Sequence, residues 1–194
     1  MKKRYTQKLA SMILLSLISW LPVMAQNSIE IKTMEQLQEV LSSPQLRSDD
    51  VLDWPITAEG IIVDKIVPVS ISSYRMHGGP LIRAEGYTGV ILSVKDGGNI
   101  TIENTIDGAD LEAQNMPLID IQKGGTLTLA EGGSFQRNRG IEHALCVMNF
   151  GTFNLDGGSI THNVGEDNHV IFNFGTAHLL KGEIAGNETR GSIY

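Results

Sequence analysis

Three copies of one pattern fill residues 117–187, and no other feature restricts the fold as much. The first copy is PLIDIQKGGTLTLAEGGSFQRN, from Pro117 to Asn138. The second is ALCVMNFGTFNLDGGSITHN, from Ala144 to Asn163, and the third is HVIFNFGTAHLLKGEIAGN, from His169 to Asn187. Gly125, Gly151 and Gly175 mark one point in each copy, at steps of 26 and 24. Asn138, Asn163 and Asn187 mark another, at steps of 25 and 24. A period in the twenties belongs to units that cannot bury an apolar face alone and must stack on their neighbours.

Alternation within each copy identifies the unit. After the marker glycine, Leu127 and Leu129, Phe153 and Leu155, and Ala177 and Leu179 flank Thr128, Asn154 and His178. Period two sends the first set to one face and the second to the other. Ile100 and Ile102 begin the same columns in a weaker copy, VILSVKDGGNITIENTIDG, from Val90 to Gly108. A strand before the glycine supplies an inward column read as Val94, Ile121, Val147 and Ile171. A strand after the next turn supplies Ile106, Phe135, Ile160 and Ile184. Three short strands per coil predict an all-β, single-stranded, right-handed parallel β-helix. An amphipathic helix pair would need apolar spacings of three and four, which are missing. A β-sandwich of short strands is the competing architecture, but it offers no reason for turn residues to recur in register.

The recurrent turn residues have structural readings. Glycines 98, 125, 151 and 175, with 133, 158 and 182 at the next corner, are expected to provide positive φ. Asn138, Asn163 and Asn187 are expected to form a hydrogen-bonded ladder along the stack. Asn149-Phe150-Gly151-Thr152 returns as Asn173-Phe174-Gly175-Thr176, which predicts two stacked phenylalanines.

The beginning of the chain reads as a separate device. Lys2, Lys3, Arg4 and Lys8 precede an apolar run from Met12 to Leu21, and small residues end at Ala25. This is the pattern of a secretory leader over 1–25, too short to span a membrane. Its removal takes four of 15 basic residues and no acid, leaving 11 against 22 acids, a net charge of −11. So acidic a chain excludes nucleic acid as a partner. The mature sequence has no second long apolar run and hence no transmembrane segment. Cys146 is alone, so no intramolecular disulfide exists. It lies far from the leader, which excludes the usual lipoprotein attachment. A nucleophilic role beside His143 or His169 is the sharper reading of Cys146, and a small buried strand residue the preferred one.

Residues 26–55 read as an N-terminal cap. Thr33 and Gln36 make a capping box for a helix over about 33–43, with Met34, Leu37, Val40 and Leu41 on one face. Such a helix would cover the open end of a β-helix. Residues 44–53 read as loop, and 76–80 as a turn. The β-helix is assigned to 56–194, regular from about residue 90.

On these residues the run from Gly60 to Asn187 resembles the right-handed β-helix proteins of the pectate-lyase-like superfamily. It is most similar to adhesin-like and polymorphic outer-membrane-protein repeats of bacterial envelopes. The resemblance rests on Gly-Gly-Thr-Leu-Thr-Leu at 124–129, Gly-Gly-Ser-Ile at 157–160, Phe-x-x-Asn at 135–138 and the closing Asn-Glu-Thr-Arg-Gly-Ser-Ile-Tyr at 187–194. Pectin-cleaving members carry Asp clusters with a nearby Arg or His on one strand face. This chain lacks those motifs, so the resemblance carries over no catalytic residue.

Candidate sites are correspondingly few. Asp107, Asp110 and Glu112 are one acidic group, and Glu166 with Asp167 another; neither spacing matches a calcium loop. His143, His162, His169 and His178 share no ligand spacing, and zinc would need at least three to converge. No catalytic, cofactor or metal residue is therefore assigned. His178, Asn154, Thr128 and Thr101 form an outward polar column suited to a glycan or a protein. Asp120 is read as an isolated outward acid, in one column with Ser93, Cys146 and Val170. The expectation is an exported, non-enzymatic, adhesin-like protein that binds an extracellular glycan or surface protein through the side of the solenoid. A polysaccharide lyase or glycoside hydrolase is the alternative. Gly191-Ser192-Ile193-Tyr194 opens a further coil without a polar cap, which is read as truncation first, end-to-end self-association second and fraying third.

Overall fold

The structure, a computed structural model, describes residues 30–42, 52–70, 72–111, 116–140 and 144–194. The leader, His143 and Glu112 lie outside these residues. Among these residues one helix, α1 (Met34–Ser42), precedes sixteen strands. All pairs are parallel, and they build a β-solenoid of about 5 turns. Each turn contributes three strands in a fixed order, the plan expected from the repeat.

The first side holds β1 (Leu52–Ile56), β4 (Ser72–Gly78), β7 (Gly98–Ile102), β10 (Thr126–Ala130) and the first halves of β13 (Thr152–Thr161) and β15 (Thr176–Ala185). The second holds β2 (Ile61–Val63), β5 (Leu81–Arg83), β8 (Thr105–Asp107), β11 (Ser134–Gln136) and the remaining halves of β13 and β15. The third holds β3 (Val67–Val69), β6 (Leu92–Val94), β9 (Ile119–Ile121), β12 (Ala144–Asn149), β14 (Val164–Asn173) and β16 (Glu188–Ile193).

Alternation becomes packing because parallel pairing stacks equivalent residues. Tyr74, Ile100, Leu127, Phe153 and Ala177 form one inward column. Met76, Ile102, Leu129, Leu155 and Leu179 form the next, while Ile61, Leu81, Ile106, Phe135, Ile160 and Ile184 line the second side. Most of these side chains are buried until the last coil, where Leu179 is exposed. Met76 belongs to β4, so the turn begins at Gly79 and not at Met76.

On the third side the register departs from the glycine alignment by two residues. Leu92, Ile119, Val147, Ile171 and Ile193 stack together. Val94 and Ile121 are continued by Asn149 and Asn173. The cause is the corner that follows. Gln122–Gly125 separate β9 from β10, whereas only Phe150 and Gly151 separate β12 from β13. A slip of two preserves the face, so Val147 and Ile171 still point inward. One position earlier, Ile91, Leu118, Cys146 and Val170 are also buried. Cys146 and Val170 are therefore not in the column of Asp120, which is flanked by Ser93 and Met148.

The corner glycines answer to crowding more than to φ. Positive φ falls one residue earlier, at Gly97 (77°) and Gly124 (83°). A Cβ on Gly98 would meet the Val69 carbonyl, one on Gly151 the Gly125 carbonyl, and one on Gly175 the Gly151 carbonyl. At the second corner Gly133 and Gly158 are likewise crowded, and Gly182 alone of that set has positive φ.

Helix α1 covers the first coil. Leu37 and Leu41 are buried against β2 and β3, and the Tyr74 hydroxyl donates to the Val40 carbonyl at 3.2 Å. The Gln36 N–H donates to Thr33 Oγ1 at 3.3 Å, and Gln36 Oε1 accepts from the Lys32 N–H at 2.8 Å. The reciprocal bond of the capping box thus reaches one residue further back than the motif predicts. Just before the helix, Ile31 bridges Ile56 of β1.

The columns generate a direct test. Leu127→Asp removes roughly 1.5–3 kcal/mol of burial and adds several more for an unpaired charge. Thr128→Asp changes the outward neighbour on the same strand. A urea titration is expected to show an unfolded Leu127→Asp protein and a near-native Thr128→Asp protein.

Candidate functional site

The best-defined outward feature is a row along the first side. Asp53, Arg75, Thr101, Thr128, Asn154 and His178 occupy successive coils in register. The Asn154 amide donates to Thr128 Oγ1 at 3.1 Å, and Arg75 reaches Glu103 at 2.7 and 2.8 Å. His77 Nε2 lies 3.0 Å from Asp53 Oδ1 at one end of the row. The Glu103 carboxylate holds the Arg75 guanidinium above its ordinary pKa. The predicted polar strip is therefore one continuous strand face, extended by Asp53 and Arg75.

The predicted acidic groups do not assemble a metal or hydrolase centre among the described residues. Asp107 is buried, and its carboxylate accepts from Arg137 Nε at 2.9 and 3.0 Å and from Gln136 at 3.0 Å. It also accepts from the Ala109 N–H at 2.7 Å, closing a turn in which Ala109 and Asp110 have φ of 57° and 58°. Asp110 lies 3.9 Å from both Arg137 and Arg139. The carboxylates are thus neutralised by arginines, which is the arrangement of a corner tie. Asp120 accepts from Ser93 at 3.0 Å and from Gln122 at 3.3 Å. The side chains of Glu166 and Asp167 lie outside the described residues, while their backbone continues β14. No group of three His, Cys, Asp or Glu converges among the described residues.

The described histidines have separate surroundings, and His143 lies outside the described residues. His162 occupies a corner with φ of 56°, His178 is exposed, and His169 packs edge-on against Phe172 and Tyr194. Cys146 is buried, and burial pushes its thiol well above the ordinary range. The reactive form of cysteine is the thiolate, so this environment opposes nucleophilic chemistry.

Two asparagine ladders tie the coils. Asn163 Oδ1 accepts from the Asn138 N–H at 3.0 Å, and Asn187 Oδ1 accepts from the Asn163 N–H at 3.0 Å. The Asn163 amide also donates to Asn187 Oδ1 at 2.8 Å and to the Thr161 carbonyl at 2.9 Å. The second ladder was not anticipated. Asn149, fully buried, donates to Asn173 Oδ1 at 2.6 Å and to the Thr176 carbonyl at 2.8 Å, while its own Oδ1 accepts from the Gly151 N–H. The repeated Asn-Phe-Gly-Thr was its signal. The phenylalanines of that motif stack as predicted, with centroids 5.1 Å apart and planes 8° from parallel.

Sequence reasoning also missed Arg83. It closes β5 in register with Val63, only 2% exposed, and Nε, Nη1 and Nη2 have no hydrogen-bond partner among the described residues. Burial lowers its pKa. Nothing in the local sequence distinguishes it from a surface arginine.

No family model matches this chain, and no curated protein or solved structure shows significant similarity to it. No helix among the described residues is long and apolar enough to cross a membrane.

Two stability measurements follow from these contacts. Asn163→Ala leaves the buried Asn138 N–H without its acceptor and is expected to cost about 1–3 kcal/mol. Asn187→Ala acts at a half-buried position and is expected to cost less in the same urea titration. Arg83→Met removes a buried unpaired charge and is expected to raise the unfolding free energy by roughly 1–3 kcal/mol. A loss of stability would mean that Arg83 is paired by a group outside the described residues.

Proposed function

We propose that this is an exported, non-enzymatic protein of the adhesin-like β-helix type, which binds an extracellular glycan or surface protein through the side of the solenoid. The observation that carries this reading is the polar row from Asp53 to His178. Parallel coils repeat at about 4.8 Å, so the row presents donors and acceptors at a regular spacing. Thr128 and Asn154 are partly exposed and His178 is exposed. A rigid row of this kind contacts an extended ligand without first paying to order itself. The leader pattern of residues 1–25 supports export, and the likeness of 124–138 and 157–160 to envelope repeats supports the adhesin-like type.

The lyase or hydrolase reading needs a cleft with committed acid and base. Glycoside hydrolysis places two carboxylates about 5–10 Å apart with one of them free to donate a proton. Asp107, Glu103 and Asp120 are each engaged by neighbours, which favours the binding reading.

A single experiment separates the two. The purified protein is incubated with a panel of neutral and acidic polysaccharides, and both retention and products are measured. Retention of at least one polymer is expected, with no new reducing ends or unsaturated products. Asn154→Trp, placed in the middle of the row, is expected to abolish retention while leaving the urea midpoint near that of the parent. Product formation would overturn the reading in favour of the enzyme.

A further inference from the structure

The polar row from Asp53 to His178 has a companion on the same side. Two residues before Thr128 and Asn154 stand Thr126 and Thr152, in register with Asn99 and Thr176. Leu127 and Phe153 lie between the two columns and are buried, so both columns face outward. The columns step from coil to coil by about 4.8 Å and lie about 7 Å apart along the strand. Asn99 is exposed, and Thr101, Thr126 and Thr152 are half-exposed. The hydroxyls of these three threonines make no hydrogen bond among the described residues. On the other sides comparable groups are already engaged. Ser134 Oγ donates to Thr105 Oγ1 at 3.0 Å on the second side, and Ser93 donates to Asp120 on the third.

Charge narrows what this double column can hold. From Asn99 to Thr176 neither column carries an Asp, Glu, Lys or Arg. Charges stand at its margins and close on one another, Arg75 on Glu103 at 2.7 Å and Lys181 on Asp156 at 3.3 Å. The face thus offers no unpaired Lys or Arg to an acidic polymer, and a net charge of −7 repels one. Beside Thr152 the corner adds apolar surface. Phe150 is 47% exposed there although Phe174 stacks on it. Hydroxyls and amides bordered by an exposed aromatic ring suit a neutral sugar, whose ring carries both hydroxyl groups and C–H surface.

We propose that this face takes a neutral, extended β-1,4-linked glycan lying along the solenoid axis, with one sugar to each coil. The inference rests on the side-face reading above and narrows its ligand. A chain of equatorially linked pyranoses is flat and nearly straight, and its step per sugar is close to the step between coils. Each sugar then meets one residue of each column, and the next sugar meets the next coil. An α-1,4-linked chain curves and loses this register. A surface protein would need a central pocket or an anchoring charge pair, and the two columns supply neither.

Titration calorimetry of the purified full chain with cellobiose, cellotetraose, maltotetraose and tetragalacturonic acid tests this. Cellotetraose is expected to bind at least about tenfold more tightly than cellobiose, because it adds hydrogen bonds from further coils. Maltotetraose and tetragalacturonic acid are expected not to bind. Thr126→Val and Thr152→Val keep the β-branched shape and remove one hydroxyl each. Each is expected to weaken cellotetraose by about three- to tenfold, with the urea midpoint of the parent. Thr161→Val, the same change on the second side, is expected to leave binding unaltered. Preference for the acidic or the curved tetramer, or cellotetraose binding that Thr126→Val and Thr152→Val do not weaken, would overturn this inference and leave the side-face reading standing. Binding of none of the four, with a polymer still retained in the polysaccharide panel, would do the same. Retention of no glycan in either experiment would overturn both this inference and the glycan-binding reading beneath it.

Discussion

At each corner of the first side a carbonyl oxygen of one coil occupies the space where the next coil would carry a Cβ. Gly98 sits over the Val69 carbonyl, and Gly151 and Gly175 over the carbonyls of Gly125 and Gly151. This close approach lets the backbone turn without lifting the coils apart. If the spacing opened at a corner, the ladder bonds on both flanking sides would lengthen together. The asparagine ladders act on the same constraint from the other direction. Where a corner leaves an N–H pointing along the axis, the Asn of the next coil supplies the acceptor. Steric absence and hydrogen bonding thus hold one distance at different corners.

That distance explains what was legible in the sequence. The inward columns of the first and second sides could be read from alternation and period alone, because each strand there starts a fixed number of residues after its glycine. The third side precedes the glycine, and the corner between them varies from four residues to two. Aligning on Gly125 and Gly151 therefore misplaces Ile121 against Val147, when its neighbour is Asn149. The side chain at that position changes from isoleucine to asparagine as the corner tightens. The shorter turn has fewer backbone N–H donors, and the Asn149 amide compensates by donating to the Thr176 carbonyl and to Asn173 Oδ1. A reader of sequence sees a polar residue in a core column and takes it for a different column.

The role of glycine was misread for a related reason. Positive φ is a property of one residue, and Gly-Gly pairs invite that explanation. At Gly98 and Gly125 the constraint comes from the carbonyls of Val69 and Val94, in the coil before, which no local pattern reveals. Arg83 is the same kind of case. Its neighbours in sequence, Ile82 and Ala84, are ordinary for a strand end, and only the register with Val63 places the guanidinium inside. The outward polar row, in contrast, was legible because it is the complement of the inward columns.

The separation of roles has a consequence for function. Inward positions and corners are set by coil spacing, and a change there is felt across three coils. Outward positions on a straight side answer to one neighbour above and one below, as Asn154 does to Thr128 and His178. Such positions accept new side chains without a cost to the stack, so recognition can vary there while the solenoid persists. Catalysis asks for the opposite, namely several groups converging from different directions on one atom. A column offers groups that are parallel and equally spaced. The corner around Asp107 does bring charges together from two coils, but Arg137 closes on the carboxylate and spends its charge internally. The same arginine that would have to move aside for a substrate holds the turn at Ala109 and Asp110. A fold of short coils therefore makes a row of contacts easily and an active centre only where a corner is released from this structural work.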